Sequence, residues 1–134
     1  MEYGIPANVI EFTPELVKKF KKQGYPITDQ LVASASKYML PKIDNMVPVP
    51  NANSYNEKKE NFYKLIRNLE SGITEIYFHP SIETNGLKKI TNSWQQRAWE
   101  AKMFSDPDVI NFLKNEGILF TNWKEMMKRY KDRI

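Results

Sequence analysis

The residue with the clearest capacity for chemistry is His79, the one histidine among the 134 residues of the chain. It follows the β-rich run at residues 73–78 and precedes Pro80. In parallel α/β folds the loops at the carboxyl ends of strands converge on one crevice, so a histidine there can act as general acid or base, or as one metal ligand. A lone histidine on a strand is also often structural, and its position alone leaves these interpretations open.

The other chemically capable residues form weaker patterns. The absence of cysteine excludes disulfides, thiolate metal sites and cysteine nucleophiles. With no second histidine, we predict no metal ligand set in this chain. Asp106 and Asp108 are better explained as helix-capping residues than as paired carboxylates. Gly86 and Gly117 stand alone, so no glycine-rich phosphate loop is predicted.

The three tryptophans are Trp94, Trp99 and Trp123. Such residues most often pack in cores or between helices. Trp94 and Trp99 are kept as candidates for stacking on carbohydrate, since sugar rings present apolar faces to aromatic side chains.

Charge and composition narrow the class of partner. The formal net charge of +4 comes from 20 Lys and Arg against 16 Asp and Glu. The basic clusters at residues 18–22 and 124–133 are typical of solvated helix faces, so nucleic acid is not a predicted partner. No signal sequence or membrane-spanning stretch is apparent. The default expectation is therefore a cytoplasmic protein without a membrane partner, provided that the native N-terminus is present; the oligomeric state is not predicted.

Local signals place several elements before His79. Thr13 and Pro14 predict a helix of about ten residues that Gly24 ends. Residues 25–53, interrupted by four prolines, are predicted to form a long packed excursion with one possible helix or turn around residues 30–38. Ser54 and Glu57 form a capping box, which predicts a helix to about residue 70 with Gly72 as its stop.

The elements after His79 follow from similar signals. A helix is predicted from residues 91–93 to about 104, and Asp106 with Pro107 starts another that Gly117 terminates. A short strand is predicted at residues 118–120, and Asn122 caps a last helix. The predicted order of elements in residues 54–134 is therefore helix, strand, helix, helix, strand, helix. This alternation predicts an α/β fold with parallel strands, a single partial domain over residues 1–134 and an incomplete sheet.

Several segments together resemble the C-terminal half of the YdjC-like (ChbG/HpnK-type) carbohydrate deacetylases. They are residues 72–80 (GITEIYFHP), 94–100 (WQQRAWE), 105–109 (SDPDV) and 117–125 (GILFTNWKE). Residues 24–29 (GYPITD) are also similar to a family segment, although Gln30 stands where the family often has histidine. The resemblance covers most of residues 20–130.

This resemblance implies the C-terminal part of an irregular TIM-like (β/α) barrel of the polysaccharide-deacetylase type. It implies a metal-dependent hydrolase that removes N-acetyl groups from amino sugars and oligosaccharides. A divalent metal, Mg or Zn, is expected for the complete family domain, with ligands in segments missing here. The chain is therefore expected to be a fragment that is inactive alone. Its expected partners are an N-acetylated oligosaccharide and the missing N-terminal half.

The resemblance also implies site residues. His79 is the expected catalytic residue, as general acid or as the group that orients the reacting centre, and Asp29 is expected to help shape the substrate entrance. Trp94, kept above for stacking on carbohydrate, is the other expected substrate contact. Arg97 and Glu100 match family positions or form a structural ion pair. The alternative interpretation is a non-catalytic α/β interaction or scaffold module derived from the same fold.

Overall fold

The structure, a computed structural model, describes residues 4–133. No helix in that range combines the length and the apolar composition needed to cross a membrane. The described elements are, in chain order, α1 (Pro14–Lys22), α2 (Asp29–Ser36), β1 (Asn45–Pro48), α3 (Tyr55–Arg67), β2 (Thr74–Tyr77), α4 (Asn85–Ile90), α5 (Trp94–Met103), α6 (Pro107–Asn115) and α7 (Trp123–Lys131).

The two strands form a small parallel sheet. β1 pairs with β2, with the Asp44 N–H donating to the Ile73 carbonyl at 2.8 Å and the Val49 N–H donating to the Tyr77 carbonyl at 3.2 Å. The offset between partners stays near constant along the pair, as parallel strands require, and α3 provides the helical crossover between them. The chain therefore has the predicted α/β character with parallel strands.

The chain divides into two compact units. The first comprises residues up to Met46, Gly72–Glu75 and residues from Phe120 onward. Its core is formed by Ile10, Leu16, Phe20 and Ile43. Leu16 and Phe20 come from one face of α1. The Thr13 hydroxyl accepts the Leu16 N–H at 3.2 Å, so the helix predicted from Thr13 and Pro14 is confirmed.

The second unit comprises Val47–Ser71 and Ile76–Leu119. Its buried core joins side chains of α3, α5 and α6 to the residue that follows β1: Val49, Phe62, Ile66, Met103, Val109 and Leu113. The Ser54 hydroxyl accepts the Glu57 N–H at 3.1 Å, as predicted. The Glu57 carboxylate, however, accepts from the Asn53 N–H at 2.8 Å and not from Ser54.

The segment predicted as a long packed excursion, residues 25–53, contains more regular structure than the one possible helix. The possible helix there is present as α2, but the segment also contains β1. β1 was missed because it has only four residues, ends at Pro48, and acquires its extended form by pairing with a strand distant in sequence. Pro48 is tolerated because a strand in a two-stranded sheet has one unpaired edge, where no N–H donor is needed. The short helix α4, which follows β2, was likewise not predicted.

The predicted strand at residues 118–120 is absent from the structure. Gly117 has a φ of +70° at the end of α6, and the Ile118 N–H donates back to the Leu113 carbonyl at 3.4 Å. These are features of a Schellman motif, in which the residue after the glycine completes the helix end. The Ile118 N–H is therefore used by α6 and is not available to a strand ladder.

The prediction that Gly72 ends α3 was wrong. α3 stops at Arg67, and Gly72 lies two residues before the start of β2. Its φ is +129°, and a Cβ added there would lie 2.7 Å from Asp44 Oδ2. That oxygen accepts the Ile73 N–H at 2.7 Å. The position therefore requires glycine for both its backbone angle and its close approach to Asp44.

We expect Gly72→Ala to lower the free energy of unfolding by about 1–3 kcal/mol through backbone strain and displacement of the Asp44 carboxylate. Urea denaturation measures this loss. Gly117→Ala is the matched control, because Gly117 also has positive φ but has nothing within 4 Å of its added Cβ. Equal losses in the two variants would contradict the role assigned to the Asp44 contact.

Candidate functional site

His79 lies two residues beyond the end of β2. It lines a cavity of about 370 Å³ together with residues that follow β1 and residues of α5, including Asn51, Gln96, Arg97 and Glu100. His79 is exposed, whereas Glu100 is buried. The structure therefore places a solvent-accessible imidazole in a polar cavity at the carboxyl ends of both parallel strands, where α/β proteins commonly bind ligands.

The main chain around His79 is attached to α5 at two points. The His79 N–H donates to Glu100 Oε2 at 2.6 Å, and the Ser81 N–H donates to the Arg97 carbonyl at 3.1 Å. Pro80, between them, has no N–H to satisfy. The Tyr77 ring lies edge-on to the imidazole with centroids 6.4 Å apart. The His79 corner, residues 79–81, thus has a defined backbone position.

A buried ion pair lies behind this corner. Lys58 is 0% exposed and Glu100 is 6% exposed, and Lys58 Nζ lies 3.1 Å from Glu100 Oε1. The ammonium also donates to the Pro50 carbonyl and to Gln96 Oε1, each at 3.0 Å. Its three protons therefore have three acceptors, which offsets the cost of burying the charge. Glu100 pairs with Lys58, so the Arg97–Glu100 ion pair considered above was wrong.

Gln96 holds the segment that follows β1. Its Nε2 donates to the Ala52 carbonyl at 2.7 Å, and its Oε1 accepts the Ala52 N–H at 3.2 Å. A side-chain amide that bonds both main-chain groups of one residue restrains that residue strongly. The two strand exits are thus both connected to α5.

Sequence reasoning missed Lys58 and Gln96, although a signal for each was available. Lys58 stands four residues before Phe62 and eight before Ile66, on the buried stripe of α3. Gln96 and Glu100 share the face of α5 that carries Met103. A polar residue in register with an apolar stripe faces the interior, where it needs a partner.

Arg97 contributes a half-buried guanidinium to the cavity lining. It forms no ion pair with a carboxylate in the described part of the chain. Its five N–H groups are suited to planar oxygen acceptors such as carbonyl or carboxylate groups. The cavity therefore combines an imidazole with a cationic hydrogen-bond donor.

Trp94 and Trp99 line a different groove of about 580 Å³, which His79 does not line. Lys88 Nζ lies 4.4 Å from the centroid of the Trp94 ring, so one face of that ring makes a cation–π contact. Asp29 is fully exposed at the first turn of α2, where its Oδ1 is 3.9 Å from Lys21 Nζ. It belongs to the first unit, whereas His79 and Trp94 belong to the second. The structure brings together His79, Arg97 and Glu100, and not His79 and Trp94.

Asp106 caps α6, as predicted. Its Oδ1 accepts the Asp108 N–H at 3.0 Å, and its Oδ2 accepts the Tyr55 hydroxyl at 2.6 Å. The bond from Tyr55 holds the pKa of Asp106 below its usual value. Burial, together with the nearby Asp106, raises the pKa of the Tyr55 hydroxyl. Lys59 lies 3.4 Å from both aspartates, so these carboxylates serve a structural cluster.

The described residues do not fit a divalent cation. Within residues 4–133 no three His, Asp or Glu side chains cluster closely enough to hold a metal ion. Both oxygens of Glu100, the acidic group nearest to the His79 main chain, are already engaged by Lys58 and the His79 N–H.

A family model described as YdjC-like protein matches residues 1–115. The chain belongs to the YdjC-like family. The matched region includes the His79 corner and all of α5, so the YdjC-like relationship covers the site described above.

The YdjC-like chain is also similar to a carbohydrate deacetylase of Thermoanaerobacter pseudethanolicus (strain ATCC 33223 / 39E). The two are 38% identical over 66 residues, which is 49% of this chain and 26% of the relative. The aligned stretch of the chain therefore spans about a quarter of the length of that relative.

Proposed function

We propose that this YdjC-like chain is part of a metal-dependent carbohydrate deacetylase that removes N-acetyl groups from amino sugars and oligosaccharides. The observation that carries the proposal is a polar cavity at the carboxyl ends of two parallel strands, which His79 and Arg97 both line. Family membership and the deacetylase relative support the same class of reaction.

His79 is the proposed catalytic residue. Hydrolysis of an acetamide adds water to the carbonyl carbon and breaks the bond between that carbon and the sugar nitrogen, which must gain a proton as it leaves. The ring nitrogens of an imidazole can donate or accept a proton, so His79 can deliver this proton or orient the reacting groups. Arg97 Nη and Nε atoms are suited to hold the acetyl oxygen in the same cavity.

The divalent metal, Mg or Zn, is proposed for the complete family domain, within an irregular TIM-like barrel. Because the described residues offer no fitting ligand set, we assign those ligands to other parts of such a domain. This chain alone is therefore expected to bind sugar without hydrolysing it. Trp94 and Asp29 remain proposed substrate contacts, with Trp94 using the ring face that Lys88 leaves open.

A non-catalytic interaction module is the second candidate. The observation that favours it is a set of exposed apolar side chains in the second unit, among them Ile82 at 81%, Ile90 at 81% and Leu119 at 93% exposure. Where such side chains form one contiguous patch, they commonly mark contact with a partner. Such a module would not need to recognise an acetylated sugar.

Titration with N,N′-diacetylchitobiose separates the two candidates, because the one histidine of the chain gives an unambiguous imidazole NMR signal. We expect this signal to shift with a Kd in the roughly millimolar range, as suits a partial site. Arg97→Ala should weaken the shift, since it removes the donor to the acetyl oxygen while keeping the reporter.

Cellobiose is the matched control ligand, because it carries hydroxyl groups where diacetylchitobiose carries acetamido groups. No shift with the acetylated sugar, or an equal shift with cellobiose, would contradict the proposed function. Acetate release by the chain alone after addition of Zn²⁺ or Mg²⁺ would contradict the assignment of the metal ligands to other residues.

A further inference from the structure

Glu100 is an unusual residue to find buried behind His79. A carboxylate removed from water loses several kcal/mol of hydration, and an apolar side chain at this position of α5 would have packed beside Met103 without that cost. Glu100 instead uses one oxygen on Lys58 at 3.1 Å and the other on the His79 N–H at 2.6 Å. Its two contacts join a buried cation to the backbone of the candidate catalytic residue.

The bond to His79 is of a strong type. A carboxylate that accepts from a main-chain N–H makes a charge-assisted hydrogen bond, which is roughly twice as strong as a neutral one. This bond holds His79 beyond the end of β2, where the strand pairing no longer restrains the backbone. The next residue, Pro80, has no N–H that could form a second bond. Together with the Ser81 bond to α5 at 3.1 Å, the bond to His79 holds the corner on both sides of the proline.

Lys58 connects this anchor to the exit of β1. Its ammonium binds Glu100 Oε1, the Pro50 carbonyl and Gln96 Oε1. A lysine with all three protons engaged cannot rotate without losing a bond, so it holds the carboxylate in one orientation. The walls of the cavity that follow β1 and β2 therefore share one buried support.

We propose that Glu100 is a positioning residue that directs the His79 imidazole into the cavity by holding its peptide N–H, with Lys58 keeping the Glu100 carboxylate in one orientation. The catalytic value of this positioning rests on the proposed deacetylase function, whereas the positioning itself does not. A purely structural pair would stabilise the second unit as a whole and would leave His79 no more affected than its neighbours.

NMR of the ¹⁵N-labelled full chain, without sugar, tests this. In Glu100→Gln the neutral amide retains the shape of the side chain but loses the charge-assisted bond. We expect the His79 amide proton to move upfield and to exchange with solvent about tenfold faster. The imidazole signal should shift or broaden as the ring samples more orientations.

The Ile110 amide is the internal control, because it donates to the Asp106 carbonyl at 3.1 Å in α6 of the same unit and has no bond to Lys58 or Glu100. Its exchange rate should remain near that of the wild type. The double variant Lys58→Met/Glu100→Gln removes both charges, so it supplies a folded protein for the same measurement if Glu100→Gln unfolds.

Unchanged His79 amide and imidazole signals in a folded Glu100 variant would overturn the proposal. Equal acceleration of exchange at His79 and Ile110 would also overturn it, since that result describes a loss of general stability. Because no sugar is present, these outcomes are independent of whether the chain binds diacetylchitobiose.

Discussion

Lys58→Met is expected to lower the free energy of unfolding by about 3–5 kcal/mol, because it leaves the Glu100 carboxylate buried without its cation. Lys58 is completely buried, and its Nζ lies 3.1 Å from Glu100 Oε1. The substitution also removes the donor to the Pro50 carbonyl and to Gln96 Oε1. Urea denaturation followed by tryptophan fluorescence measures the loss, with the unfolding slope compared to confirm the same transition.

The double variant Lys58→Met/Glu100→Gln is the control for this prediction. It exchanges the ion pair for two neutral side chains of similar size, and such replacements are often near neutral in stability. We expect it to be clearly more stable than Lys58→Met alone. If the single variant were as stable as the wild type, or less affected than the double variant, the buried charge would not be the source of the loss.

Phe62→Ala is expected to cost about 3–5 kcal/mol of stability, since it deletes a large side chain from the centre of the second unit and leaves a cavity. Phe62 is 1% exposed, and its ring packs edge-on against Phe104 with centroids 5.5 Å apart at 77°. Phe62 belongs to the buried cluster that also contains Met103 and Val109. Chemical denaturation measures the change in the midpoint at constant slope.

Leu119→Ala is a suitable comparison, because Leu119 is 93% exposed and belongs to the same unit. Removing a side chain that is already in water should change stability by no more than about 0.5 kcal/mol. A loss at Leu119 similar to that at Phe62 would mean that Leu119 is covered in solution, as an interaction module would require.

These two substitutions affect the candidate site in different ways. Phe62 supports α3 and α5 through apolar packing, and it has no polar contact with the His79 corner. Lys58 binds Glu100, and Glu100 in turn accepts the His79 N–H. For the proposed deacetylase, loss of Lys58 should therefore disturb the sugar-induced His79 signal more than a substitution of equal destabilisation in the apolar core.

Helix positions were predictable because their signals are local. The Ser54 hydroxyl lies three residues from the N–H it accepts, and the stripe of α3 repeats every three or four residues. The same is true of Asn122, whose side chain accepts the Glu125 N–H at 3.0 Å as its spacing predicts. Such contacts form between neighbours in the chain, so composition and spacing are enough to identify them.

Strands were less predictable because their partners are distant. β1 was missed, although its carboxyl end forms one side of the cavity. Residues 118–120 have β-forming side chains, but the Schellman motif at Gly117 uses the Ile118 N–H first. In both places the hydrogen-bond partner of a backbone N–H decided whether a strand formed, and the local β propensity did not.

The sequence by itself determined that His79 follows a strand, that the neighbouring helices begin near their predicted caps, and that the chain resembles the YdjC-like family. Only the tertiary structure decided that Glu100 pairs with Lys58 and holds the His79 N–H, and that Trp94 lies in a separate groove. The physical reason is that caps and apolar stripes depend on neighbours along one helix. A buried charge instead depends on partners that α3, β2 and α5 bring together from distant parts of the chain.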